Sequence, residues 1–146
     1  MSSELKFDPS NDCWALAEAK TDDGVLFVRI NETAKNYLGR PELSVRLGFA
    51  VAMQKSNGTG YPDPAEIDLL AAVEDRIVAV VAAGAVGIHV LTLTDAKMKE
   101  MVFYIKPGAD IPVMHKELLR DVKTHKVQCM AVHDPEWETY CAFTLE

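Results

Sequence analysis

The chain has 146 residues, of which 49% are hydrophobic and 25% are charged, and its formal net charge is −7 at pH 7. This composition is typical of one folded domain and excludes a disordered chain, and the negative charge disfavours binding to a phosphate backbone. The apolar runs are shorter than the ~20 residues of a membrane-spanning helix, and the first residues show no signal-peptide pattern. We therefore expect a cytoplasmic protein that binds neither membranes nor nucleic acids.

The cysteines limit the range of metal and redox chemistry. Cys13, Cys129 and Cys141 make an odd number, and none of them forms a Cys-x-x-Cys spacing. Such a pattern supports neither a disulfide framework nor a zinc ribbon. We expect reduced thiols, no bound metal and no cofactor.

A β-hairpin is predicted near the N-terminus, after a flexible tail at residues 1–11. Residues 14–19 and 25–30 are apolar and β-branched enough for strands. The Asp23-Gly24 pair between them is typical of a tight turn.

The clearest strand pattern lies at residues 44–54, where large apolar side chains alternate with Arg46, Gly48, Ala50 and Ala52. One face of this strand is predicted to enter the core. The small residues on the other face indicate a thinly covered, open face of the sheet.

The clearest helix pattern covers residues 63–84. Asp63 is suited to cap the helix, Pro64 is suited to its first position, and Gly84 ends it. An apolar stripe at three- and four-residue steps predicts a buried side, formed by Leu70, Val73, Ile77, Val80 and Val81. We expect this helix to contribute stability, and any functional site to lie on the opposite face of the sheet, in the loops at the edge of that face, or on the acidic surface.

The second half of the chain repeats the order of elements. Residues 85–93 and 97–106 predict a hairpin, residues 110–125 a helix, and residues 127–132 a strand. Asp134 and Pro135 then open a short helix that is predicted to hold Trp137, Tyr140 and Cys141.

This order predicts a single α+β domain over residues 12–146. The central part is strand, helix, strand, strand, helix, strand, which is the ferredoxin-like βαββαβ arrangement of an antiparallel sheet with both helices on one face. The N-terminal hairpin would extend this sheet or fold over an edge, and a short C-terminal helix would close the domain.

Several segments of the chain resemble a bacterial family known only as a domain of unknown function, number 695. The resemblance extends from the strand at residues 23–28 to the end of the chain, through residues 67–78 and the hairpin that begins at residue 86. Its most specific motif is Asp134-Pro135-Glu136-Trp137-Glu138-Thr139-Tyr140. The resemblance implies a small α+β domain without an established activity. The expected fold is also similar to that of acidic bacterial regulators that inhibit an endoribonuclease, which by itself assigns no function.

Two groups of residues invite a chemical interpretation. His125, Cys129 and His133 are evenly spaced, but a four-residue step along a strand covers ~13 Å, too far for one zinc ion unless His89 or His115 joins from a neighbouring element.

The closing motif places carboxylates beside aromatic residues, which suits acid–base chemistry. The same residues also suit a helix cap at Asp134 and a buried face formed by Trp137, Tyr140 and Cys141, and we favour this structural role.

The sequence therefore predicts a binding or regulatory domain rather than an enzyme, with a protein partner, a small ligand or a second copy of the chain as its partner. The alternatives are an acidic inhibitor like the ribonuclease regulators, and a small enzyme. The enzyme would use Arg46, His89 and Glu100, whose side chains converge if Arg46 and His89 share the non-core face.

Overall fold

The computed structural model describes residues 12–22, 24–54 and 61–144 of the chain. The predicted tail at residues 1–11 and Asp23 of the predicted hairpin turn lie outside these ranges. Within them, the chain has an α+β fold with one antiparallel sheet, which confirms the predicted class.

The sheet of the described residues has six strands in the order β1-β2-β4-β5-β3-β6, and all neighbouring strands are antiparallel. The strands are β1 (Trp14–Thr21), β2 (Gly24–Asn31), β3 (Val45–Ala52), β4 (Gly87–Thr94), β5 (Met98–Ile105) and β6 (Val127–His133). Because β2 pairs with β4, the N-terminal hairpin extends the sheet rather than folding over its edge.

Helices connect and cover the strands. A 3-10 helix at Glu32–Tyr37 follows β2, and the α-helices are α1 (Pro64–Gly84), α2 (Ile111–Asp121) and α3 (Glu138–Thr144). The Asp63 side chain accepts hydrogen bonds from the backbone N–H groups of Ala65 and Glu66 at 2.9 and 3.3 Å, which satisfies donors that have no partner within the helix. The predicted start of α1 is confirmed.

The second helix ends earlier than predicted, at Asp121 rather than near His125. Val122 adopts an extended conformation, and the chain then turns inwards so that His125 Nε2 lies 2.7 Å from Glu66 Oε1 of α1. This pair is fully buried, with 0% and 1% of the two side chains exposed. This long-range contact replaces the last helical turn that the local pattern predicts.

The two faces of the sheet differ in what covers them. On the first, here called the α1 face, α1 and α2 pack on β3, β5 and β6 through a core that includes Leu47, Phe49, Ile77, Phe103 and Leu118. On the second, the α3 face, α3 and the 3-10 helix pack on β2, β4 and β5. The predicted open face is therefore covered around Tyr104, whose ring stacks on Trp137 at 4.4 Å between centroids.

Candidate functional site

A cavity of about 460 Å³ lies on the α1 face, between the C-terminal half of α1 and the strands β1, β2 and β4. One part of its wall is apolar and includes Val78, Val81, Ala82 and Val86. The other part is polar and aromatic and includes Trp14, Arg29, Glu74, His89 and Phe103. The cavity lies against the helix that the sequence predicted to contribute stability alone.

A β-bulge in β4 creates the polar part of the cavity. The pairing of β4 with β5 shifts between His89 and Leu91, so that His89 opposes Phe103 while Leu91 already opposes Val102. In a regular strand His89 and Thr92 would point to opposite faces, whereas the extra residue in the bulge places both on the α1 face. His89 Nε2 and Thr92 Oγ1 are consequently 3.0 Å apart.

The carboxylate of Glu74 is the centre of a buried polar network. It lies 2.8 Å from the Lys99 ammonium of β5 and accepts a hydrogen bond from the Thr92 hydroxyl at 2.7 Å. Arg29 Nη1 of β2 donates to the same carboxylate at 3.3 Å. Four elements of the fold, namely α1, β2, β4 and β5, thus meet at one carboxylate.

The pKa of Glu74 reflects two opposing effects. Burial raises the pKa, but the hydrogen bond and the charge of Lys99, with smaller contributions from Thr92 and His89, leave it below its ordinary value. Glu74 is therefore ionised at neutral pH, and its oxygens are occupied by three donors from neighbouring strands.

His89 is held in a single neutral form. Its Nε2 lies 3.0 Å from the carbonyl oxygen of Leu91, which can only accept, so Nε2 carries the hydrogen. Burial lowers the pKa of His89 to about 4, against the attraction of Glu74. In the described part of the chain Nδ1 has no hydrogen-bond partner, so its lone pair is available at the cavity.

Aromatic contacts fix the orientation of both His89 and Arg29. The imidazole stacks on Phe103 with 4.6 Å between centroids and meets the Trp14 ring edge-on at 4.9 Å. The Arg29 guanidinium lies over the same indole, with Cζ 4.7 Å from the ring centroid. A hydrogen-bond acceptor and a cationic donor therefore adjoin one tryptophan.

The three residues of the alternative enzyme site do not come together. His89 lies on the α1 face, whereas Arg46 contacts Asp134 and Thr139 on the α3 face. Glu100 is also on the α3 face, where burial raises its pKa and the nearby Arg46 partly offsets that effect. The condition for convergence, a face shared by Arg46 and His89, is not met because these residues lie on opposite sides of the sheet.

The closing motif has the structural role that the sequence favoured. Asp134 accepts hydrogen bonds from the Glu138 N–H at 2.9 Å and from the Tyr104 hydroxyl at 2.8 Å, while Trp137 Nε1 donates to the Leu43 carbonyl at 2.8 Å. Trp137 precedes α3 instead of belonging to it, since its φ of 56° is left-handed. Tyr140 anchors the helix by donating to the Asn31 carbonyl at 2.7 Å.

The evenly spaced His125, Cys129 and His133 have separate surroundings. His125 is paired with Glu66, Cys129 is half-buried in β6, and His133 is exposed at the end of that strand. Within the described ranges, no three histidine, cysteine or acidic side chains are grouped so that they could hold a metal ion.

Sequence reasoning missed Arg29, Glu74, Thr92 and Lys99. A signal for Glu74 was present, because it lies four residues after Leu70 and three before Ile77 and so falls within the apolar stripe of α1. A charged residue at such a position indicates a buried partner. The partners themselves come from strands that no local pattern connects to Glu74.

Sequence comparison places most of the chain in one family. A family model described as Family of unknown function (DUF695) matches residues 12–145. No curated protein and no solved structure matches the chain. None of the helices in the described residues combines the length and the hydropathy that crossing a membrane requires.

Proposed function

We propose that this chain, which belongs to the family of unknown function DUF695, is a small-molecule-binding domain whose ligand occupies the cavity between α1 and the sheet. The single observation that carries this proposal is the accessible Nδ1 lone pair of His89 inside a cavity of about 460 Å³. Ligand sites have this size, an apolar wall and a few convergent polar groups.

The energetics of the polar network support a binding role. A buried ion pair such as Lys99–Glu74 contributes little stability compared with well-packed apolar residues of similar volume. Beside this ion pair, Nδ1 of His89 is an acceptor that has no partner among the described residues and is open to the cavity. A ligand that donates a hydrogen bond to Nδ1 would use an acceptor that the fold already holds in position.

The same geometry favours binding over catalysis. A histidine whose pKa is about 4 is a weak base at neutral pH, and general-base catalysis works best when the pKa lies near the working pH. Glu74 is no better suited, since its oxygens already accept from Lys99, Thr92 and Arg29.

Intrinsic fluorescence provides a direct test. Trp14 lines the cavity, whereas Trp137, the second of two tryptophans, is buried on the α3 face. We would titrate the protein with single-ring and branched aliphatic acids, alcohols and amines. At least one of these probes should change the emission of Trp14.

Two alanines of α1 provide the variant and its matched control. Ala82 lines the cavity, whereas Ala79 is exposed on the same helix and is not part of the lining. Ala82→Phe should block binding and Ala79→Phe should not. Equal responses of the two variants, or no response to any probe, would rule out the cavity as a binding site.

We also propose two finer assignments. The elements from β3 to β6 suggest a ferredoxin-like core, since β5 lies between β3 and β4 and the two helices α1 and α2 cover the same face. The three free cysteines support a reducing compartment such as the cytoplasm.

Association of two copies is a second candidate function, favoured by the edge strand β1. Its outer side has no partner strand among the described residues, and Leu16 is 79% exposed. Sedimentation of the wild type against Leu16→Lys tests this, and a wild type that stays monomeric at all concentrations would exclude it.

A further inference from the structure

We infer that the ligand is a small monocarboxylate with an apolar body and a hydroxyl or amino group next to its carboxylate; this assignment rests on the binding function proposed above. Arg29 would hold the carboxylate, and His89 Nδ1 would accept from the neighbouring hydroxyl or amino group.

The donor requirement follows from the tautomer of His89. Because Nε2 must donate to the Leu91 carbonyl, Nδ1 can only accept in the neutral ring. A 180° flip of the ring would keep its stacking on Phe103 but would take Nε2 away from the Leu91 carbonyl and the Thr92 hydroxyl, so these two contacts hold the orientation. A ligand must therefore bring a hydrogen to Nδ1.

The carboxylate requirement follows from the charges around Glu74. Lys99 lies closest to this carboxylate, at 2.8 Å, while Arg29 approaches it only at 3.3 Å and through Nη1. The network thus contains two cations and one anion, because His89 is neutral. Nε and Nη2 of Arg29 form no hydrogen bond within the described residues, and this side chain is 42% exposed. A planar guanidinium with free N–H groups matches a carboxylate.

The indole of Trp14 limits how far apart the two ligand groups can be. The His89 ring and Arg29 Cζ lie 4.9 and 4.7 Å from its centroid. Both groups therefore adjoin one indole, so a single small ligand can contact both, and we place its two polar groups on adjacent carbon atoms. Asp75 also lines the cavity, so once the ligand's carboxylate has engaged Arg29 a second acidic group would meet a negative charge, which favours a monocarboxylate.

The remaining wall defines the body of the ligand. Val78, Val81 and Ala82 present aliphatic surface on the wall that also contains Phe103. A single ring or a branched aliphatic chain fills such a space and buries apolar surface on both sides.

Three related probes test the assignment by calorimetric titration of the wild-type protein at pH 7.5. The first is 2-hydroxy-3-phenylpropanoate. The second, 3-phenylpropanoate, lacks the hydroxyl, and the third, the methyl ester of 2-hydroxy-3-phenylpropanoate, lacks the negative charge. The hydroxy acid should bind about five-fold more tightly than 3-phenylpropanoate and at least ten-fold more tightly than the ester. No variant is needed for this comparison, so a folding defect cannot obscure it.

Two variants assign the preferences to residues. His89→Phe keeps a ring against Phe103 but removes the acceptor, so the two acids should bind equally while 3-phenylpropanoate is affected less than two-fold. Arg29→Met should weaken both acids at least ten-fold and leave the ester nearly unchanged.

The possible failures are distinct. If the ester binds as tightly as the acids and Ala82→Phe blocks it, the carboxylate assignment is wrong while the binding function stands. If the hydroxyl preference is absent, or persists in His89→Phe, the role of Nδ1 is refuted. If none of these probes binds the wild type, the assignment fails; if the wider panel of acids, alcohols and amines also fails to bind, the binding function fails with it.

Discussion

The low pKa of His89 predicts that acid destabilises this protein well above the pH at which carboxylates titrate. In the folded chain the pKa of His89 is about 4, because burial disfavours the charged ring, whereas the pKa of an ordinary histidine is 6.5. Between these values the unfolded chain binds a proton at this residue and the folded chain does not. The free energy of unfolding therefore falls as the pH decreases from about 6.5 to about 4.

The magnitude follows from the difference between the two pKa values. Each pKa unit corresponds to ~1.4 kcal/mol, so the loss from His89 should reach ~2 kcal/mol at pH 5 and roughly 3 kcal/mol near pH 4. Only 10% of this side chain is exposed, so solvent screening reduces the effect little. Glu74 acts in the same direction, but its contribution is lost only as the pH falls below its ordinary value of 4.5.

Urea unfolding at a series of pH values between 7.5 and 5 measures this effect. Subtracting the curve of His89→Phe removes the contribution of all other titrating groups that the two proteins share. The wild type should lose ~2 kcal/mol more than the variant over this range. Trp14→Phe is the matched control, because it alters a neighbour of the imidazole but keeps the titrating group, and it should retain the wild-type slope. Parallel curves for the wild type and His89→Phe would refute the reasoning.

Three further predictions concern stability and can be measured by thermal and urea unfolding. Trp137→Ala should cost about 3–5 kcal/mol, because it empties a fully buried site on the α3 face, and a normal melting temperature would contradict its structural role. Gly87→Ala should destabilise by about 1–3 kcal/mol, since a Cβ atom there would lie 2.4 Å from a backbone oxygen of β5. Gly108→Ala is the comparison that separates crowding from backbone strain, because a Cβ atom there would meet no atom within 4 Å while the backbone φ is +99°. Lys99→Met should cost about 3–5 kcal/mol, because it leaves Glu74 without its closest cation. Adding Glu74→Gln should recover part of this loss. If the effects of the two substitutions on the free energy of unfolding simply add, Lys99 and Glu74 are not coupled.

Much of the fold follows from local sequence because the interactions that define its elements are local. The start of α1 depends on Asp63 and on the N–H groups two and three residues later. The face of β3 that enters the core depends on the alternation of apolar and small residues along the strand, which is the same whichever layer packs against it. The role of the closing motif was also predictable, since Asp134 and Tyr140 suit a helix cap and a buried face.

The candidate site depended on tertiary structure because its residues are distant in sequence. Arg29 and Glu74 are 45 positions apart and meet only because β2 adds to the edge of β4. Simple alternation along β4 would place His89 and Thr92 on opposite faces of the sheet. The bulge between them places both on the α1 face. The sequence by itself determined the order of the elements and the N-terminal cap of α1. Strand order and one irregular residue in β4 decided which side chains surround the cavity, since register across a sheet is set by partners that local sequence does not contain.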